Sequence, residues 1–139
     1  MPRIVDHTSS WLDRLRSEQR EFMQRIGLHY TTEVKRLMAE SPRSGREYRR
    51  GRKVHKASAP GEPPAVDRGR LIRSVGFRVV FLNKEWGVQV GSSLKNIPSW
   101  LEYGTRKMAP RPAWRPAVRN ITPQIKREVE AIFKKRRGQ

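Results

Sequence analysis

Thirteen acidic side chains and three histidines are the groups from which this 139-residue chain could assemble a catalytic centre, and they do not converge in sequence. His7, His29 and His55 are scattered with no metal-ligand spacing between them, so each reads as a surface or packing residue. Close acid pairs such as Glu128 and Glu130 point to different sides of a helix and cannot act together as general acid and base. Cysteine is absent, which removes disulfides, thiolate zinc sites and cysteine nucleophiles together. The glycines are isolated turn formers, with neither a Walker loop nor a dinucleotide fingerprint after a strand. The expectation is a protein that is not an enzyme, with no catalytic residues, no metal and no cofactor.

The chemistry this chain does offer is that of cations. It carries 31 Lys+Arg against 13 Asp+Glu, a formal net charge of +18. Residues 1–40 hold seven basic and six acidic side chains, whereas residues 41–139 hold 24 basic and seven acidic. That asymmetry directs the second part toward a polyanion or a strongly acidic protein surface, the alternative being a basic solvated face with no partner. Within 41–56 the basic series Arg43, Arg46, Arg49, Arg50, Arg52, Lys53 and Lys56 is accompanied by little apolar content beyond Tyr48 and Val54. The segment reads as a basic extended arm or hairpin about Gly51 that is flexible or ordered by a partner. It is either a phosphate-contacting arm or a surface loop whose charge aids solubility.

A second concentration of chemistry lies in 100–118, WLEYGTRKMAPRPAWRPAV. Trp100, Glu102 and Tyr103 sit on a short amphipathic turn, Gly104 stops it with positive φ, and Thr105 follows. Pro110, Pro112 and Pro116 then hold Arg106, Arg111, Trp114 and Arg115 in a preset arrangement, because a proline-rich loop gives up little entropy on ordering. Trp100, Tyr103 and Trp114 suit packing or a subunit contact better than base stacking.

The elements that must position these groups are legible from periodicity. Thr8, Ser9 and Ser10 offer N-cap hydroxyls before Trp11, Leu15, Phe22, Ile26, Tyr30, Val34, Leu37 and Met38. That stripe predicts one amphipathic helix over 10–40, about 45 Å long, with Gly27 a possible bend. Pro42 ends it. The loop Pro60, Gly61, Glu62, Pro63 and Pro64 combines a type II turn with a polyproline segment, and Asp67 is placed to cap a short helix holding Leu71, Ile72 and Val75. A proline-rich linker between two domains is the alternative for this stretch. Alternation through Val75, Phe77, Val79 and Phe81, a three-residue break at 83–85, and Trp86, Val88 and Val90 predict a β-hairpin. Val80 and Leu82 extend apolar character to its second face, which implies cover on both sides, by the long helix and by either the terminal helix or a subunit neighbour. Asn96 is placed to cap the turn at 97–103, and the terminal helix starts near Pro112 or Ala113, with Thr122-Pro123 interrupting it so that it is kinked or in two parts.

The fold class expected is α+β: a long N-terminal helix and a C-terminal helix packed on a small antiparallel sheet, in a single domain over 1–139. It divides into the long helix (1–40), the basic arm and proline-rich loop (41–69), the sheet and motif core (70–121) and the terminal helix (122–139). Apolar residues make up only 35%, against roughly 45 to 50% in ordinary domains, so the core is thin and association would supply missing burial. No apolar run of about 18 residues and no signal-peptide core is present, so a soluble, unexported protein is expected.

Four separated motifs in order, Ala57 to Pro64, Gly69 to Leu71, Glu102 to Thr105 and Arg111 to Ala117, resemble a family of tailed-bacteriophage neck proteins. These are head-tail joining or tail-completion proteins, also called minor tail proteins or the gp-ten-like family. The resemblance covers about residues 42–120. Arg68 stands where the family has a small hydroxyl residue, and Ala113 shifts the aromatic position to Trp114. The resemblance implies a structural virion protein in the neck, made in the host cytoplasm, that forms a homo-oligomeric ring, a hexamer or a dodecamer. Such a ring would join a portal-side connector or head-closure protein to a tail terminator or tail tube protein, around packaged double-stranded DNA and with no membrane. It further implies subunit or connector contacts at Trp100, Glu102, Tyr103, Gly104, Thr105, Arg106, Arg111, Pro112, Trp114 and Arg115. The arm from Arg43 to Lys56 would face DNA or a partner. A small basic protein that binds nucleic acid non-specifically is the alternative.

Overall fold

The apolar steps between Trp11 and Met38 fold as the helix α1, Thr8–Ala39, which stops three residues before Pro42. The computed structural model of the protein describes residues 8–138; His7 and the expected capping side chains of Thr8 and Ser9 lie outside what it describes. After α1 come β1 (Glu47–Arg50), β2 (Lys53–Lys56), α2 (Arg70–Ser74), β3 (Val75–Leu82), β4 (Glu85–Ser92), α3 (Ile97–Tyr103) and α4 (Trp114–Arg137). The architecture is α+β, with two separate two-stranded antiparallel sheets.

β3 and β4 form the larger hairpin. Asn83 and Lys84 both adopt positive φ, 51° and 64°, so the turn is a two-residue one that matches strand twist. The break is therefore one residue shorter than the apolar pattern implies, and Glu85 opens β4 opposite Leu82. The register puts Val75, Phe77, Val79 and Phe81 on one face with Trp86, Val88 and Val90. α1 lies across that face. Gly27 is the seat of an aromatic ring, since a Cβ there would come within 2.2 Å of Phe77 Cδ2. The second face carries Gly76, Arg78, Val80 and Leu82 with Glu85, Gly87, Gln89 and Gly91. Among the described residues of the subunit Val80 is half-buried, Leu82 is 60% exposed, and a Cβ built at Gly76 or Gly91 would meet nothing within 4 Å, so of the two covers expected there the terminal helix is not the one that closes this face.

The core sits where the C-terminal half of α1 meets the start of β3 and the start of α4. Val34, Met38, Val75, Ala113, Trp114 and Ala117 are buried there, with Tyr30, Leu37, Leu71 and Ile72 packed around them. α4 rests along α1. Asn120 Nδ2 donates to Glu33 Oε1 at 2.7 Å and Arg136 donates to Glu18 at 3.1 Å. Of the kinked or two-part helix expected at Thr122-Pro123, the two-part form is not what folds: α4 runs through Pro123 as one element. The Thr122 hydroxyl donates to Val118 O at 2.7 Å, which occupies a carbonyl in the turn preceding the proline. Two expected caps also differ. Asp67 leaves the α2 cap position to Gly69 and pairs instead with Arg50 and His55, while Asn96 precedes α3 without a side-chain cap. Val75, which the sequence pattern places in both the short helix and the strand, begins β3.

The apolar stripe of α1 outruns the core. At about 1.5 Å per residue the 32-residue helix is about 48 Å long, and its first turns carry Trp11 and Leu12 into solvent. Among the described residues no helix is long and apolar enough to cross a membrane.

Candidate assembly surface

α4 begins at Ala113, a residue with no side-chain acceptor for the unsatisfied N–H groups of a first turn. Glu102, reaching across from α3, supplies that acceptor. Its Oε2 accepts from Ala113 N at 2.9 Å and Trp114 N at 3.1 Å, and its Oε1 accepts from Arg115 N at 2.9 Å and Arg115 Nε at 3.0 Å. Arg115 also donates to the Glu102 carbonyl at 2.9 Å and lays its guanidinium over the Tyr103 ring, 5.1 Å from the centroid. Glu102 is only 5% exposed. Burial by itself would raise its pKa, but the three backbone N–H groups and the Arg115 guanidinium outweigh it and hold the carboxyl below the usual carboxylate range. The positive end of the helix dipole acts in the same direction.

Tyr30 closes this knot from α1, donating from its hydroxyl to Trp114 O at 3.1 Å. Its pKa is pushed up to about 12, first by burial and then by the negative charge of Glu102. Gly104 is held at φ 78°, ψ 179°, a conformation open essentially to glycine alone, and a Cβ there would stand 2.8 Å from Met108 O. Thr105 and Met108 exchange backbone hydrogen bonds, which turns Arg106 and Lys107 outward at the tip.

The proline-rich loop fastens the same region from a third side. Gly61 N donates to Pro110 O at 2.9 Å, Arg111 N to Leu101 O at 2.6 Å, and Arg111 Nε to Ser58 O at 3.1 Å. Ser41 Oγ donates to Pro63 O at 2.7 Å, which ties the end of α1 to the loop. Glu62 accepts from the Ser44 hydroxyl and N–H and from Ala59 N. These bonds, led by the Ser44 hydroxyl, lower its pKa, and the nearby Arg111 charge helps. Pro64 is buried, Pro63 half-buried, and Pro60 and Gly61 form the exposed turn. The stretch is thus a fastening between the arm and the motif core.

The residues expected at a subunit or connector contact divide in two. Glu102 and Trp114 are buried and act inside the subunit, a correction that follows from their bonds and packing. Arg111 and Pro112 are half-buried, and Gly104 serves the backbone. Trp100 at 49% and Tyr103 at 71% exposure project outward, as do Thr105, Arg106 and Arg115. With Ile97 they put exposed apolar side chains three residues apart along α3. Sequence reasoning misses Tyr30, Ser44 and Ser58 as fasteners. The missing cap at Ala113 is the available signal that an acceptor must come from elsewhere.

The basic segment forms a hairpin, β1 with β2, whose two-residue loop is Gly51-Arg52, so Arg52 sits at the tip. Gly45 N to Ala57 O at 2.9 Å and Ala57 N to Arg46 O at 3.0 Å hold its base. Above the base, Arg50 and His55 meet Asp67, and Arg46 lies over the Tyr48 ring at 5.8 Å. Among the described residues, Arg43, Arg49, Arg52, Lys53 and Lys56 make no ion pair, and all are exposed. Nor does any group of three His, Asp or Glu residues among them approach metal-binding geometry.

No protein-family model, curated protein or solved structure matches this chain.

Proposed function

We propose that the chain is a structural subunit of a tailed-phage neck, a virion protein that assembles into a closed homo-oligomeric ring between the capsid portal and the tail. The observation that carries the reading is the mismatch between core and surface. The buried apolar core is small, while Trp11, Leu28, Phe81, Leu82, Trp100, Tyr103 and Phe133 stand exposed on α1, the hairpin, α3 and α4. A monomer that leaves so many large apolar groups in water has surface to cover, and neighbouring copies are its simplest cover. The ordered motifs from Ala57 to Ala117 support the neck setting, with a portal-side connector or head-closure protein on one side and a tail terminator or tail tube protein on the other. The unpaired cations of the arm suit the phosphates of DNA in the channel.

The same cations favour a second reading, a non-specific nucleic-acid-binding protein that works as a monomer. Sedimentation at low and high salt separates the two. A ring held by apolar contacts persists, or tightens, in about 0.5 M salt, where exposed charge pairs are screened beyond a few ångströms. A monomer whose sole interaction is DNA binding that collapses with salt would contradict the neck reading.

A further inference from the structure

We infer that successive copies join by antiparallel pairing of the β4 edge of one subunit with the β3 edge of the next, so that the two-stranded hairpins merge into one continuous sheet. This inference rests on the ring reading above and names the contact that would build the ring. Ser93 N donates to Ser74 O at 3.1 Å, which marks 74 and 93 as a hydrogen-bonded pair just beyond the hairpin. The alternation of an antiparallel ladder then makes 76/91, 78/89, 80/87 and 82/85 the bonded pairs. The backbone N–H and C=O groups of Phe77, Val79 and Phe81 on β3, and of Trp86, Val88 and Val90 on β4, therefore point away from the hairpin. Among the described residues, no other segment hydrogen-bonds to these groups.

Exposed edges of this kind are ordinarily guarded by proline, lysine or a covering loop. Here neither strand contains proline or lysine, and β4 has no cation at all. The one cation of β3, Arg78, is bonded to Gln89 Oε1 at 2.9 Å across the pair. Charge points to the same occupant, a second copy of this chain. Residues 74–93 carry two basic and one acidic side chain, and residues 1–40 seven and six, so both are nearly neutral in a chain of +18. Segments 41–73 and 94–139 together hold 22 basic and six acidic residues, so in two copies they repel where they face one another but not where they face the near-neutral 1–40.

Geometry is compatible with a closed ring. Rotation about a ring axis preserves the up or down sense of each strand, so β4 of one copy meets β3 of the next antiparallel, as a heterologous interface requires. Beside β3 lies an open groove of about 600 Å³, lined by Leu28, Phe77 and Val79 and, on its polar side, by Arg20, Glu21 and Arg25 of α1. The helix-facing side of an added β4, with its Trp86, Val88 and Val90, continues the apolar face that borders this groove.

Amide hydrogen exchange on the full protein, assembled and diluted to subunits, tests the inference. The expected result is that the amides of Phe77, Val79, Phe81, Trp86, Val88 and Val90 exchange freely in the subunit and become protected in the ring. A ring in which those amides exchange as fast as in the subunit overturns the edge pairing and leaves the ring reading standing. A protein that stays monomeric at every concentration overturns both. Val88→Pro supplies a second arm, because it removes an outward N–H without touching the β3–β4 ladder. It is expected to keep the subunit circular dichroism and weaken assembly by about tenfold or more. Assembly equal to that of the unsubstituted protein would count against the pairing, and if the variant does not fold, the exchange result decides.

Discussion

The knot around Glu102 and the β1–β2 arm are both made from the conspicuous part of the sequence, and they are opposite kinds of structure. In the knot, α1, the proline-rich loop, α3 and α4 meet, and the charged and polar groups at its centre, Glu102, Tyr30 and Arg111 Nε, have protein partners. In the arm the base and the contacts of Arg50 and His55 with Asp67 are the ties, and most cations face water unpaired. Charged residues at one place are consumed in making the fold, and at the other they are left available. The difference lies in burial. An ionised group out of water must be paired and hydrogen-bonded, whereas an exposed one need not be.

Substitutions should separate the two regions sharply. Glu102→Ala would leave three N–H groups of the α4 start without their acceptor in a buried site, while the exposed Arg115 guanidinium keeps its bond to the main-chain carbonyl of residue 102, and should cost about 2–4 kcal/mol, read by urea denaturation. A loss below about 1 kcal/mol would mean that the cap matters little. The same carboxylate sets the acid response. Because its folded pKa lies below the ordinary value, the stability it contributes is present above the unfolded pKa and is lost as pH falls through the folded one. The urea midpoint of the protein should therefore drop in that acid window, and the drop should shrink in the Glu102→Gln variant.

Gly104→Val comes next in size. A β-branched residue at φ 78°, ψ 179°, with its Cβ pressed on Met108 O, should cost about 2–3 kcal/mol. The family resemblance implies a subunit or connector contact at Gly104; its backbone geometry makes the change one that acts on the fold first. At the small end, Arg49→Ala with Arg52→Ala should shift stability by less than about 0.5 kcal/mol, since both side chains are exposed and unpaired. DNA affinity should fall, and the slope of log affinity against log salt should shrink by about 2, one for each phosphate that the arm no longer neutralises. An unchanged salt slope would remove the arm from any DNA contact and blunt the contrast with the knot.

Much of the architecture is legible because it rests on periodicity: the length of α1, the hairpin of β3 and β4, the glycine stop at 104. The errors have specific physical origins. Pro123 reads as a break in sequence, but a proline removes a single N–H, and the rest of α4 is held along α1. Gly27 reads only as a possible bend, and its missing Cβ serves a ring from β3 that no local pattern announces. Asp67 reads as a helix cap and answers instead to Arg50 and His55, which the fold brings near it. The site is less legible than the fold. Glu102 and Trp114 stand in one run with exposed Trp100, Tyr103 and Arg106, and residue type alone does not separate those that turn inward from those that turn outward.

The central claim is that the apolar surface left by the thin core is covered by copies of the same chain closed into a ring. Electron microscopy of the purified protein at raised salt tests it most directly. Closed rings of uniform copy number, with a central opening wide enough to pass duplex DNA, are the result predicted here. A field of monomers, or open filaments and irregular clusters with no opening, would contradict it.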